Sequence, residues 1–192
     1  MTTTLKTSRL YPGMVCSGIE FFVVDNDHEK LKVLQAQKVI NFEDLSFPVI
    51  QLLREEINKD ETVKQHLEDM HPGSEIKQIK QFAACRYGGL DYTPDINNGS
   101  SVQGDFWDCP LRGQCKSEGT LCQSIQWNSQ KLTSADIKLM KLTSSAKTNE
   151  NIAEEMNLPM GTFHQFKKFL YEKLGVQTKQ EVATIAMLLN II

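Results

Sequence analysis

The sequence predicts an α+β protein built in three consecutive parts, and three observations predict it. An aromatic and β-branched run, Ile19 to Val24, is followed by stretches with apolar residues at helical spacing. A turn-rich stretch then carries four cysteines, Cys85, Cys109, Cys115 and Cys122. The last third shows only helical periodicity and helix caps. The expected organisation is a small N-terminal α/β domain over 1–84, a cysteine-rich metal-binding module over 85–124, and a four-helix domain over 131–192. A chain of 192 residues is long enough for two compact cores.

In the first part, Ile19–Val24 suits a strand, and Asp25-Asn26-Asp27 closes it with turn chemistry. Leu31–Phe42 reads as a second strand, with Val33, Val39 and Ile40 as its β-branched members. Ser46 caps a helix in which Phe47, Ile50, Leu53 and Ile57 recur, and Pro48 fits its first turn. A second helix over about Asp60–Met70 stops at His71-Pro72-Gly73. A third segment, about Ser74–Cys85, is ambiguous, with Ile76, Ile79 and Phe82 favouring a helix. Glu55-Glu56 and Glu68-Asp69 read as solvated faces. There is no Gly-rich phosphate loop, nucleophile elbow or paired catalytic set, so no enzyme is expected. Asp25 and Asp27 follow a strand as a phosphoacceptor pair would, but repeated βα units are missing, so 1–84 is not read as a receiver domain.

The four cysteines form a C-x23-C-x5-C-x6-C set. Between 86 and 124 there is little continuous apolar periodicity, so this segment needs a staple. Four thiolates supply one by binding a metal, whose binding free energy becomes folding free energy. In a cytoplasmic chain a metal is preferred to disulfides. Zinc is the commonest occupant of such a set. The absence of a C-x2-C knuckle and the wide spacings keep a 4Fe-4S cluster open as the alternative, and unligated buried thiols as a third reading. Arg86, Arg112 and Lys116 are positioned to offset a negative tetrathiolate or simply to face solvent. Cys16 stands apart and reads as a small buried residue.

In the last third, Thr133 is a helix N-cap with Asp136 three positions on, close to a capping box. Ile137, Leu139 and Met140 give the apolar face. Thr148 caps a second helix with Ile152, Ala153 and Met156 inward. Asn157-Leu158-Pro159 is the turn, and Pro159 suits the first turn of a third helix. That helix runs from about Met160 to Leu174, with Phe163, Phe166, Phe169, Leu170 and Leu174 inward and Gly175 as its C-cap. Val182, Ile185, Ala186 and Leu189 form the stripe of a fourth helix.

These residues, with Asn151-Ile152-Ala153-Glu154-Glu155-Met156, Gly161-Thr162-Phe163, Glu172-Lys173-Leu174-Gly175-Val176 and Glu181-Val182-Ala183, resemble the LuxR/GerE-type helix-turn-helix domain, a bacterial DNA-binding module. The resemblance covers the last third only. It implies a sequence-specific transcription regulator whose third helix enters the major groove of double-stranded DNA. The contact residues it implies are Thr162, His164, Gln165, Lys167 and Lys168. His164 stands where the family usually has lysine, Phe166 where it often has histidine, Phe163 for the usual valine and Pro159 for the usual serine. Gln165 suits an adenine edge, Lys167 and Lys168 suit phosphates. The family's fourth helix often pairs two copies; here that is Lys179 to about Leu189, with Leu188, Leu189, Ile191 and Ile192 as homodimer contacts.

Charge follows the same division. Residues 131–192 carry eight Lys/Arg against six Asp/Glu, net +2, and the remainder thirteen against eighteen, net −5. A net of +2 is small for a DNA-binding domain, which favours a dimer or a partner protein. Two alternatives stay open: a redox or metal sensor whose cluster controls DNA binding, and a protein-docking module contacting RNA polymerase. No apolar run reaches the roughly 20 residues that span a membrane. The first residues, Met1-Thr2-Thr3-Thr4-Leu5-Lys6, lack the apolar core of a secretory signal, so a cytoplasmic location is expected.

Overall fold

The computed structural model describes residues 11, 14, 18–97, 100–101, 104–122 and 124–192; Cys16 lies outside them. It contains two compact units, residues 1–123 and 124–192. No helix among the described residues is long and apolar enough to cross a membrane.

The first unit opens with an antiparallel meander, β1 (Glu20–Val23), β2 (Leu31–Gln35) and β3 (Lys38–Asn41), in the order β1-β2-β3. Asp25 and Asn26 turn the chain after β1 with φ of 55° each, a left-handed conformation that Asn and Asp tolerate well. The single strand expected over Leu31–Phe42 is instead a hairpin, with Gln35 facing Lys38. Its two-residue turn is Ala36-Gln37, with φ of 49° and 66°. Both positions of such a turn need positive φ, which normally recruits Asn and Gly. Ala-Gln carries no such signal, and so the sequence concealed the break.

Three helices cover this sheet: α1 (Phe47–Asn58), α2 (Glu61–Met70) and α3 (Glu75–Arg86). Asp60 caps α2 by accepting from the N–H groups of Thr62 and Val63. The buried face of α1 is Val49, Leu53 and Ile57, at i, i+4 and i+8. Phe47, expected inward, is 71% exposed because it precedes that stripe at the helix entrance. Ile76 is likewise exposed at the start of α3, whereas Ile79 and Phe82 are buried. Glu68 and Asp69 are exposed as expected.

One core joins Phe21, Leu31 and Val33 of the sheet to Leu53, Leu67, Ile79 and Phe82 of the helices. Cys85, Tyr87, Ile96 and Leu121 belong to that same cluster. The cysteine-bearing segment is therefore built onto the α/β core. A short ribbon, β4 (Ile96–Asn97) with β5 (Ser100–Ser101), meets the sheet through paired bonds between Ile19 and Ile96.

The second unit begins with a small hairpin, β6 (Gln126–Trp127) and β7 (Gln130–Lys131). Four helices follow: α4 (Ser134–Thr143), α5 (Asn149–Glu155), α6 (Met160–Leu174) and α7 (Lys179–Leu188). Thr133 and Asp136 form a full capping box on α4, Thr148 caps α5, and Thr178 with Glu181 forms a second box on α7. Leu139, Met140, Ile152, Phe163, Leu170, Leu174 and Val182 fill the core.

Candidate metal centre and nucleic-acid interface

In the first unit, Cys85, Cys109, Cys115 and Cys122 all line one small cavity, which His28 and Trp107 also border. Their placement follows from local structure. Cys85 ends the buried face of α3, where its Sγ accepts from Gln81 Nε2 at 3.1 Å. Cys109 begins a chain of tight turns: Arg112 N–H donates to Cys109 O, and Cys115 N–H to Leu111 O. Gly113 and Gly119 have φ of 83° and 81°, positions an L side chain would strain. Arg86 fixes the last turn by donating from Nε to Leu121 O at 2.8 Å and from Nη2 to Thr120 O at 3.0 Å. All four cysteines are free.

The cavity is electrostatically set against bare thiolates. Burial pushes the Cys85 thiol up to about 12, and the three other sulfurs add to it. Burial also raises Cys109, against an opposing pull from the Leu111 N–H and Arg112. A bound cation reverses this, because a coordinating thiol is deprotonated by the metal itself. Arg112 lies near the cysteines, but its Nη2 donates to Trp107 O at 3.2 Å and its guanidinium stacks 4.6 Å above Phe106. Arg86 and Arg112 thus support the turns, and Lys116 is exposed.

His28 joins this site without having been marked in the sequence. Its Nε2 lies 3.6 Å from Cys109 Sγ, and its ring meets Trp107 edge-on at 4.9 Å. Burial lowers its pKa, favouring the neutral ring that metals need. It comes from the helical turn after β1, more than fifty residues before the first of the four clustered cysteines, and nothing in the spacing announced it.

The donor chemistry therefore fits a metal, and the spread of the sulfurs bears on which. Four thiolates about 2.3 Å from one zinc in tetrahedral array sit about 3.8 Å from each other. Among the described residues, no three of the cysteine sulfurs fall within 4.8 Å of one another. A four-iron cluster places each thiolate on a separate iron and so spreads the sulfurs over a larger frame.

In the second unit, α5 and α6 are joined by Asn157-Leu158-Pro159, with Asn157 at φ 54° and Leu158 N–H donating to Ala153 O. Pro159 stands at the N-cap of α6, and Gly175 ends the helix at φ 72°. Trp127 Nε1 and Asn128 Nδ2 both donate to Leu174 O, at 3.0 and 3.2 Å, so the small hairpin caps the last turn of α6. Lys173 Nζ reaches Asp136 Oδ2 at 2.7 Å and ties the same end to the capping box of α4.

At about 100° per residue, Thr162, Gln165, Lys168 and Phe169 share one exposed arc of α6, with His164 at its edge. Lys167 is half-buried; its Nζ donates to Asn149 Oδ1 at 3.2 Å and lies over Tyr171. Phe169, expected in the core, is 63% exposed on the arc with Gln165. The buried seam is complete with Phe163, Leu170 and Leu174, and Phe166 sits at its margin. At the end of α7 and just beyond it, Leu188 and Ile192 are exposed and Leu189 is half-buried, but Ile191 is buried at 4%, which corrects its expected place among the contacts.

A helical unit whose short α5 turns into a long α6 with an open polar arc has the form of a helix-turn-helix. Residues 130–186 match the family model GerE, described as bacterial regulatory proteins of the luxR family, and the C-terminal unit carries that family's domain. No curated protein and no solved structure matches the chain.

Proposed function

We propose that the protein is a sequence-specific DNA-binding transcription regulator, with α6 as its reading helix and a metal bound by Cys85, Cys109, Cys115 and Cys122. The luxR-family match over 130–186 carries the first half of this reading. The arc of α6 supports it: Thr162 and Lys168 suit phosphates, Gln165 suits an adenine edge, and Phe169 suits a thymine methyl. His164 borders the arc, and Lys167 reaches phosphate only by leaving Asn149. The domain's net charge of +2 makes one copy a weak binder, which favours two copies side by side. Met187, Leu188 and Ile192 are the exposed apolar residues at the end of α7 for that contact. Contact with RNA polymerase is a further partner compatible with such a regulator. The role is binding, without turnover.

For the metal, zinc and a 4Fe-4S cluster divide on one observation. The sulfurs surround a common cavity but are spread wider than a zinc tetrathiolate requires. That favours the cluster, and with it a redox or iron sensor acting on DNA binding. Two measurements on the full chain test the whole reading. The first is metal and sulfide content with a visible spectrum, on protein purified without air. Iron with sulfide and a broad band supports the cluster; one zinc and no colour restores a structural staple. The second is enrichment of a random duplex pool followed by titration over salt. Recovery of a common sequence and a steep salt slope are expected. A flat salt slope with no enrichment would remove the DNA-binding reading.

A further inference from the structure

A second group of ligand-type side chains lies in the first unit, apart from the cysteines. Glu20 in β1 and Asp95 at the edge of β4 are both 0% exposed. The paired bonds between Ile19 and Ile96 bring these two neighbours together. Asp105 is held by its N–H donating to Arg86 O at 2.9 Å. Carboxylate oxygens of Glu20, Asp95 and Asp105 lie within 4.8 Å of one another. Asp91 borders the group through its N–H, which donates to Glu20 Oε1 at 2.8 Å.

The way these carboxylates are used is informative. Asp95 spends Oδ2 on the Phe21 N–H at 2.7 Å, and Glu20 spends Oε1 on Asp91. The second oxygen of each, Glu20 Oε2 and Asp95 Oδ1, is fully buried with no hydrogen-bond partner, as is Asp105 Oδ2. Among the described residues, no lysine, arginine or histidine pairs with any of the three. A buried carboxylate needs a proton or a cation. Burial indeed pushes all three well above the usual carboxylate range.

We propose that Glu20, Asp95 and Asp105 bind a hard divalent cation of the calcium or magnesium class, which clamps β1 to the backbone at Asp95 and Asp105. Three convergent carboxylates with free oxygens match the all-oxygen preference of these ions, and the absence of sulfur or imidazole disfavours softer metals. Asp105 lies two residues before Trp107, which borders the separate cysteine cavity. The competing arrangement is a set of carboxyls that share protons.

The two differ in sign, and the full chain can separate them. Terbium is the first probe, since Tyr11 and Tyr92 stack on each other at 5.0 Å in the same region and can sensitise its emission. Saturable terbium emission, displaced by calcium or magnesium, is expected. In stripped protein, calcium at a hundredfold excess over its dissociation constant should raise the melting midpoint by about 5–10 °C. Asp105→Asn and Glu20→Gln should melt no lower than the parent without the ion, because each replaces a buried carboxyl that has an unpartnered oxygen, yet lose both responses. The cysteine-bound metal is assayed in each variant and should not change with calcium. A parent with no terbium signal and no calcium or magnesium response would overturn the proposal in favour of shared protons. Variants that keep the full response would overturn the assignment to these residues.

Discussion

Asp136 joins the cap of α4 to the end of α6, and Asp136→Asn should show how much that joint is worth. One oxygen, Oδ2, accepts from Thr133 N–H and Thr133 Oγ1 at 2.8 Å each and from Lys173 Nζ at 2.7 Å. The carboxylate is 4% exposed, whereas Lys173 keeps 24% of its side chain in water. Burial, the largest single influence, pushes the acid up, but Lys173 and Thr133 together hold it below its ordinary value. Asparagine keeps an acceptor for the Thr133 N–H and loses the ion pair. A charge-assisted bond contributes about 1.5–3 kcal/mol, and the water near Lys173 recovers part of it. The expected cost is about 2 kcal/mol, or roughly 8–16 °C in the midpoint of a domain of this size. Exchange of the slowest α4 and α6 amides reads the opening of this unit by itself. A cycle with Lys173→Met should give a coupling of about 1.5 kcal/mol, against less than about 1 for an ordinary surface pair. The pH sign follows from the depressed acid. Its contribution is full above the unfolded value of about 3.9 and is lost as pH falls through the lower folded value. The parent should therefore lose stability below about pH 4 more steeply than Asp136→Asn. A coupling under about 0.5 kcal/mol, or parallel acid profiles, would refute the argument.

Three further outcomes are expected. Lys168→Ala should weaken binding to all duplexes and reduce the salt slope by about 1, whereas Gln165→Ala should relax choice at one or two base positions; competition titrations against the enriched sequence and its single-base variants separate the two. Cys115→Ser should lose the bound metal and expose the 109–122 turns to protease, and unchanged metal content and cleavage would remove the four-cysteine site. Gly88→Ala should cost about 2–3 kcal/mol in urea unfolding, since a Cβ there would collide with the Ala84 carbonyl and sit 2.7 Å from Trp107 Nε1; the displaced Trp107 should also lower metal occupancy of the cavity it lines.

The helices were legible where side chains announce their own backbone partners. Thr133 and Thr148 stand as N-caps and Gly175 as a C-cap, each at the position its chemistry predicts, whereas Ser46 stands at the N-cap of α1 without a side-chain bond and Asp60, read as the start of α2, is its cap. The errors lie where the backbone did something its residues do not advertise. Ala36-Gln37 turns with two positive φ angles. Phe47, Ile76 and Phe169 obey helical spacing yet face outward, since periodicity places residues on a stripe without fixing which edge of it is covered. Phe169 is the instructive case. Its spacing from Phe166 and Leu170 reads as core, but Phe163, Leu170 and Leu174 already close the seam, which frees Phe169 for the surface that carries Gln165.

The candidate sites divide along the same physical line. Cysteines are few and chemically distinct, so Cys85, Cys109, Cys115 and Cys122 could be grouped across thirty-eight positions before any fold was known, and they do border one cavity. His28 and the carboxylates Glu20, Asp95 and Asp105 could not. Acidic residues number twenty-four in this chain, and one of them on a strand is ordinarily a solvated one. What singles out Glu20 is a ladder contact, Ile19 with Ile96, that closes a loop of more than seventy residues and buries Glu20 with Asp95. Only tertiary structure makes that contact, and only after it forms do three carboxylates compete for a proton or a cation. The buried oxygens that lack partners are thus the informative feature of this unit, because a fold that leaves them bare must recover their solvation from something it binds.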